Sequence, residues 1–74
     1  MEVSAKNLGN RIKELRTFHK LTQEQLAENA NLHVSYIGII ERGEKNISVK
    51  ALNDILIALN VSLSANIISS LSLY

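Results

Sequence analysis

The segment LTQEQLAENANL, residues 21–32, constrains the fold of this chain more than any other because it marks both ends of one helix. Thr22 followed by Gln25 predicts a capping box, in which each side chain satisfies the backbone N–H of the other residue. Leucines on either side of the cap fit a hydrophobic staple. A helix therefore begins at Gln23 and runs to about residue 30. Asn31, which tolerates a positive φ, predicts a sharp turn after it.

The rest of the chain repeats the helical apolar spacing, and no alternating strand pattern extends over a useful length. The first helix is predicted at about residues 4–19, and Gly43 ends a short third helix. Ser48 caps a fourth helix that ends near Asn60, and Ser62 or Ser64 caps a fifth. The inward positions are Leu8, Ile12, Leu15 and Phe18 or His19 in the first helix, Leu32, Ile37 and Ile40 in the third, and Leu52, Ile55, Leu56 and Leu59 in the fourth. The fold class is all-α with five helices.

Composition narrows the kind of protein. The chain has 74 residues with no Cys and no Pro, which predicts a single domain over residues 1–74 without disulfides or a thiolate metal site. The two histidines have no Cys or Asp arrangement near them, and no phosphate-binding glycine loop or HExxH motif is present. We therefore expect no enzymatic activity, no cofactor and no metal.

Charge is distributed unevenly, although the formal net charge is only +1. Residues 1–20 are basic, whereas residues 55–74 carry no charge. This asymmetry predicts two surfaces with different roles. The N-terminus lacks an apolar signal region, and the uncharged end contains five serines and two asparagines among residues 60–74. We expect a cytoplasmic protein that does not enter a membrane.

Residues 23–43 have the packing requirements of a helix-turn-helix, two short helices whose second member can enter the major groove of DNA. Ala27 provides a small residue where the helices approach. Asn31, four positions later, provides the left-handed turn. Ile37 provides a branched apolar anchor for the second helix.

On these residues, and on LGNRIKELR, NISVKAL and ALNVS around them, the chain resembles the Cro/lambda-repressor-type (XRE-like) helix-turn-helix family. The resemblance covers about residues 8–64 and implies a lambda-repressor-like DNA-binding domain. The stretch LHVSYIGIIERGEKNIS is most similar to the controller proteins of restriction–modification systems, which are small homodimeric regulators.

The resemblance implies which side chains contact double-stranded DNA. The glutamine that opens the first motif helix contacts the backbone, the start of the second motif helix faces the base edges, and the following loop lies along the phosphates. These residues are Gln23, His33, Val34, Ser35, Tyr36, Ile39, Arg42, Lys45 and Asn46.

Other roles are open for several of them. Gln23 could be a solvated first-turn residue, and His33 either caps the third helix or donates to DNA. Tyr36 could brace its helix, and Arg42 and Lys45 could be ordinary surface charges.

Two further positions match a structural pair of the family. The resemblance implies that Arg16 and Glu41 form a salt bridge at the edge of the core. The second motif helix departs from the family, because Val34, Gly38 and Ile39 replace polar residues. Apolar side chains contact thymine methyl groups but make no bidentate hydrogen bonds to bases.

The uncharged end, about residues 62–74, supplies more apolar residues than a small core accommodates, which predicts a homodimer surface. The residues concerned are Ile67, Ile68, Leu71, Leu73 and Tyr74. The sequence therefore predicts a homodimeric, sequence-specific transcription regulator on a two-fold operator, associated with the nucleoid. The alternative is a protein-interaction or antitoxin-type module with a protein partner on the same scaffold.

Overall fold

The computed structural model describes residues 4–60 and contains four α-helices and no strand within that range. They are α1 (Ala5–Phe18), α2 (Gln23–Ala30), α3 (Val34–Glu41) and α4 (Val49–Asn60). The all-α class is confirmed. The predicted fifth helix at residues 62–74, with the expected dimer surface, lies outside the described residues.

Three helices begin where a hydroxyl side chain accepts a hydrogen bond from the backbone N–H three residues later. Ser4 Oγ caps α1 through Asn7 N–H at 3.0 Å, and Ser48 Oγ caps α4 through Ala51 N–H at 3.1 Å. At α2 the capping box is complete, since Thr22 Oγ1 accepts from Gln25 N–H at 3.0 Å and Gln25 Oε1 accepts from Thr22 N–H at 2.8 Å. Such caps stabilise a helix by about 0.5–2 kcal/mol each.

The first three helices end in one motif, in which a residue with left-handed backbone follows the helix. Lys20, Asn31 and Gly43 have φ of 60°, 58° and 72°. At each end the next N–H reaches back to a carbonyl five residues earlier, as in Leu32 N–H to Ala27 O at 2.8 Å. This pairing is the Schellman arrangement, which satisfies carbonyls that the helix leaves free. Asn31 and Gly43 were expected from the sequence, whereas Lys20 was not.

One apolar core joins all four helices. Its fully buried large side chains come from every helix: Ile12, Leu26, Ile37, Ile40, Ile55 and Leu59. Helix α3 packs on α1 and α2, and α4 packs on α2. Burying one such side chain stabilises a fold by about 1.5–3 kcal/mol.

One inward position predicted from the sequence differs in the structure, and one alternative left open there is decided. Leu56 is exposed on α4 rather than part of its buried stripe. Of the two candidates at the end of α1, Phe18 points to solvent and His19 is the half-buried one. Leu56 lies at the border of the apolar face of α4, where a small rotation about the helix axis decides exposure.

Helices α1 and α3 approach so closely that only glycine fits between them. A Cβ at Gly9 would collide with the backbone carbonyl oxygens of Ile40 and Glu41. Because backbone atoms cannot move aside, Gly9 sets the distance between the first helix and the C-terminal end of α3. This close approach packs the C-terminal end of α3 against α1 and the core.

None of the helices in residues 4–60 is both long and apolar enough to span a bilayer. The same residues contain no group of three or more His, Asp or Glu side chains arranged to hold a metal ion.

Candidate nucleic-acid interface

Helix α3 is buried along one side and open at its N-terminal end. Ile37 and Ile40 lie in the core, whereas His33, Val34 and Ser35 are exposed. Val34 is 43% exposed, and Ile39, one turn further along, is half-buried. The left-handed turn at Asn31 and the buried Ile37 together hold this end of α3 outward on a rigid scaffold.

His33 occupies the N-cap position of α3 but does not act as a cap through its side chain. Its backbone is extended, with φ −76° and ψ 141°, and its ring makes no capping hydrogen bond. Of the two roles considered for His33, capping through the imidazole is absent. The exposed ring is free to act as a donor.

Gln23 is anchored to α3 rather than simply solvated. Its side-chain nitrogen donates to Glu41 Oε1 at 3.0 Å, and the residue is half-buried. Because a carboxylate accepts but does not donate, this contact determines which end of the amide faces Glu41. One N–H and the amide oxygen remain for a further partner.

Arg16 and Glu41 form a buried ion pair that links α1 to the end of α3. Arg16 Nε lies 2.6 Å from Glu41 Oε2, and Nη2 lies 3.0 Å from Oε1. The side chains are only 10% and 1% exposed. Arg16 Nη1 also donates to Leu21 O at 2.8 Å, just before α2 begins. The carboxylate of Glu41 therefore links α3 to Arg16 on α1 and also fixes the side-chain amide of Gln23.

Tyr36 braces α3 against the start of α4. The residue is half-buried, and its hydroxyl oxygen accepts from Ser48 N–H at 3.5 Å. At that length the hydrogen bond is weak, and the hydroxyl keeps its own proton for another acceptor. Bracing and phosphate contact are therefore compatible for this residue.

The loop after α3 carries exposed cations. Lys45 and Asn46 are exposed, and Arg42 is held by Glu44 in a two-contact pair, Nε to Oε2 at 2.9 Å and Nη2 to Oε1 at 3.2 Å. The hydrogen bonds between these side chains raise the pKa of the Arg42 guanidinium and lower the pKa of the Glu44 carboxyl. Glu44 was not singled out from the sequence; its position two residues after an arginine, across a glycine turn, was the available signal.

Gly38 is buried and does not contribute to an exposed apolar face. A Cβ at this position would lie 3.1 Å from Arg42 Nη1 and 3.8 Å from Gln23 Oε1. The guanidinium of Arg42 and the amide of Gln23 therefore lie together over the backbone of α3. Of Val34, Gly38 and Ile39, the three positions that depart from the family's polar residues, Gly38 adds no exposed apolar surface, because the side chains of Arg42 and Gln23 lie over it.

These features define a helix-turn-helix protein: α2, a left-handed turn at Asn31, and an outward second helix with polar groups beside it. Residues 12–66, most of the chain, match the helix-turn-helix family, and the chain belongs to this family.

Individual relatives are regulators. The immunity repressor protein of Bacillus phage phi105 is 48% identical over 58 residues, which are 78% of this chain and 40% of that protein. Control protein C.SmaI of Serratia marcescens is 42% identical over 55 residues, 74% of this chain and 66% of that protein. The chain thus spans less than two thirds of each of these two relatives.

A solved structure extends the comparison. C.Esp1396I, a restriction-modification controller protein, has been solved bound to a 25 base pair operator site. That structure matches with a TM-score of 0.73 at 30% identity and covers 96% of this chain and 97% of the other.

Proposed function

We propose that this protein is a sequence-specific DNA-binding transcription regulator of the restriction–modification controller type, acting as a homodimer on a two-fold operator. The observation that carries the proposal is the exposed N-terminal end of α3, where His33, Val34 and Ser35 project from a helix anchored by Ile37. The C.Esp1396I complex with its operator supports the same use of this fold. The proposed role is binding, with no catalysed reaction, in the cytoplasm at the nucleoid.

In the proposed complex the contacts divide between base edges and backbone. His33, Val34 and Ser35 face the bases, with Ile39 one turn further along. Val34 and Ile39 suit thymine methyl groups, and Ser35 and His33 supply hydrogen bonds. Direct readout is therefore sparse, and the shape of the DNA contributes to selectivity.

The backbone contacts come from the groups that surround this end of α3. Gln23 has one free amide N–H, Tyr36 has a hydroxyl proton, and Asn46 adds an amide. Arg42 and Lys45 add positive charge. Cations and short polar groups beside a helix fix its register on the phosphates.

For the dimer, we propose that Ile67, Ile68, Leu71, Leu73 and Tyr74 form an interface related by two-fold symmetry. The uncharged stretch from residue 55 onward supports this assignment. A two-fold dimer would set two α3 helices about 34 Å apart, one turn of DNA. Selection of bound duplexes from a random library tests this directly, because two inverted half-sites with that spacing are expected.

A salt titration of duplex binding tests the proposed function. Each cation–phosphate contact contributes about −0.9 to the slope of log K against log salt, so one cation per protomer gives about −1.8 for a dimer and two give about −3.6. Lys45→Gln should make the slope shallower by about 1.8 for a dimer, uniformly across sequences. Lys13→Gln is the matched control, since Lys13 is exposed on α1. Absence of duplex binding at low salt would remove the proposal.

The alternative, a protein-interaction module, has less support because Gly38 is covered by polar side chains. Val34→Asp with Ile39→Asp separates the two roles. Loss of duplex binding in a folded double variant supports DNA contact by this surface. Unchanged DNA affinity would assign the surface to another partner.

A further inference from the structure

Arg42 lies over the backbone of α3 at Gly38, and its guanidinium is already paired with a carboxylate. Its guanidinium lies over Gly38, with Nη1 at 3.1 Å from the place of the missing Cβ, beside the amide oxygen of Gln23. At the same time two of its nitrogens donate to the two carboxylate oxygens of Glu44, at 2.9 and 3.2 Å. The absence of a side chain at residue 38 makes room for this arrangement.

A guanidinium presents paired N–H groups that fit a carboxylate and a phosphate equally well. The two oxygens of Glu44 therefore take the positions that two phosphate oxygens would take on Arg42. Both side chains are more than half exposed, so a phosphate can approach and displace the carboxylate. The exchange replaces one ion pair with another, so Arg42 adds little net affinity.

We propose that Glu44 is an internal competitor for the phosphate site on Arg42, and that it weakens binding to any duplex irrespective of sequence. The inference rests on the proposed function and deepens it. Specificity is a difference of affinities, so a group that weakens all complexes equally leaves that difference unchanged and lowers the occupancy of every site. Glu44 thereby limits non-specific occupancy and leaves selection to His33, Val34 and Ser35.

Three variants separate the effect of the Arg42 charge on duplex affinity from the effect of competition by Glu44. Glu44→Gln removes the competing charge, Arg42→Gln removes the site, and the double variant carries both changes. Glu14→Gln is the matched control because it changes the charge equally and also removes an exposed Arg–Glu pair, Arg11–Glu14 on α1. Circular dichroism checks that each variant is folded.

With a duplex of random sequence at low salt, Glu44→Gln should bind tighter than wild type by roughly two- to fivefold per protomer, the equilibrium equivalent of one exposed ion pair in each protomer. Its salt slope should be steeper by up to about 0.9 per protomer, because no carboxylate takes up a cation when Arg42 meets the phosphate. In the Arg42→Gln background the same substitution should change affinity no more than Glu14→Gln does.

Two results overturn the inference while leaving the proposed function intact: Glu44→Gln binds no tighter than Glu14→Gln, or its gain persists without Arg42. If neither wild type nor Glu44→Gln binds duplex at low salt, the proposed function fails and this inference fails with it.

Discussion

Substituting Glu41 with Gln tests the central electrostatic feature of the fold. The Glu41 side chain is 1% exposed and accepts from Arg16 Nε, Arg16 Nη2 and Gln23 Nε2. Glutamine keeps the shape but has no charge, and its nitrogen faces a donor wherever it turns. Arg16, 10% exposed, is then left without a counter-charge.

Removing one partner of a buried pair is expected to lower the free energy of unfolding by about 3–5 kcal/mol. A chain of this length has a total stability of about 4–11 kcal/mol, at 0.05–0.15 kcal/mol per residue. Glu41→Gln should therefore lose a large fraction of the fold's stability. Urea unfolding followed by circular dichroism measures this, with the midpoint shifting and the slope m unchanged.

The control is the double variant Arg16→Met with Glu41→Leu, which replaces the pair with apolar side chains of similar volume. Such replacements are often neutral or stabilising, so the double variant should be more stable than Glu41→Gln. The exposed pair provides a second reference, since Glu14→Gln should change stability by no more than about 1 kcal/mol. If Glu41→Gln behaves like Glu14→Gln, the pair is not desolvated and the reasoning from burial is refuted.

Two further predictions concern backbone conformation and space. Gly38→Ala should raise the free energy of unfolding by about 0.5–1 kcal/mol through helix propensity, because only the flexible end of Arg42 must move. Gly9→Ala should lower it by about 1–3 kcal/mol, because the added Cβ meets backbone atoms. Thermal unfolding measures both changes, and a change of the same sign in both variants would contradict the geometry. Lys20→Gly should stabilise the fold by about 0.5–1 kcal/mol, because glycine adopts a φ of 60° without the strain that a lysine has there. Asn31→Ala should destabilise the fold by about 1 kcal/mol, because alanine tolerates a φ of 58° less well than asparagine. Urea unfolding measures both, and a destabilised Lys20→Gly variant would contradict the assignment of strain to that position.

Much of the fold could be predicted because its helix boundaries are encoded locally. Thr22 and Gln25 are three residues apart, and their capping box depends on no distant contact. Asn31 and Gly43 are residue types that adopt a left-handed backbone easily, so the turns after α2 and α3 were visible. Lys20 has the same conformation, but nothing about a lysine in the sequence indicates it.

The candidate site was less predictable because its main contacts either join residues far apart in the sequence or depend on the direction in which a side chain points. Gln23 and Glu41 are 18 positions apart, and their hydrogen bond exists only after α2 and α3 pack together. From the sequence, Gly38 was only one of three positions where the chain lacks a polar residue of the family. In the structure Gly38 leaves space for the guanidinium of Arg42, and the sequence does not predict that the Arg42 side chain points back over α3.

The network around Glu41 also determines how variants of the interface should be interpreted. Gln23→Ala would remove a proposed DNA contact and would also take a hydrogen-bond donor from a buried carboxylate, so a loss of affinity could arise from either change. The two effects differ in their dependence on temperature. A lost contact to the DNA backbone lowers the affinity at every temperature. If α3 is less firmly anchored, the loss of affinity becomes larger as the temperature approaches the unfolding transition. Lys45, which is exposed in the loop after α3, has no such link to the core. Affinity changes at Lys45 therefore report on charge alone, and they are the reference against which Gln23 should be judged.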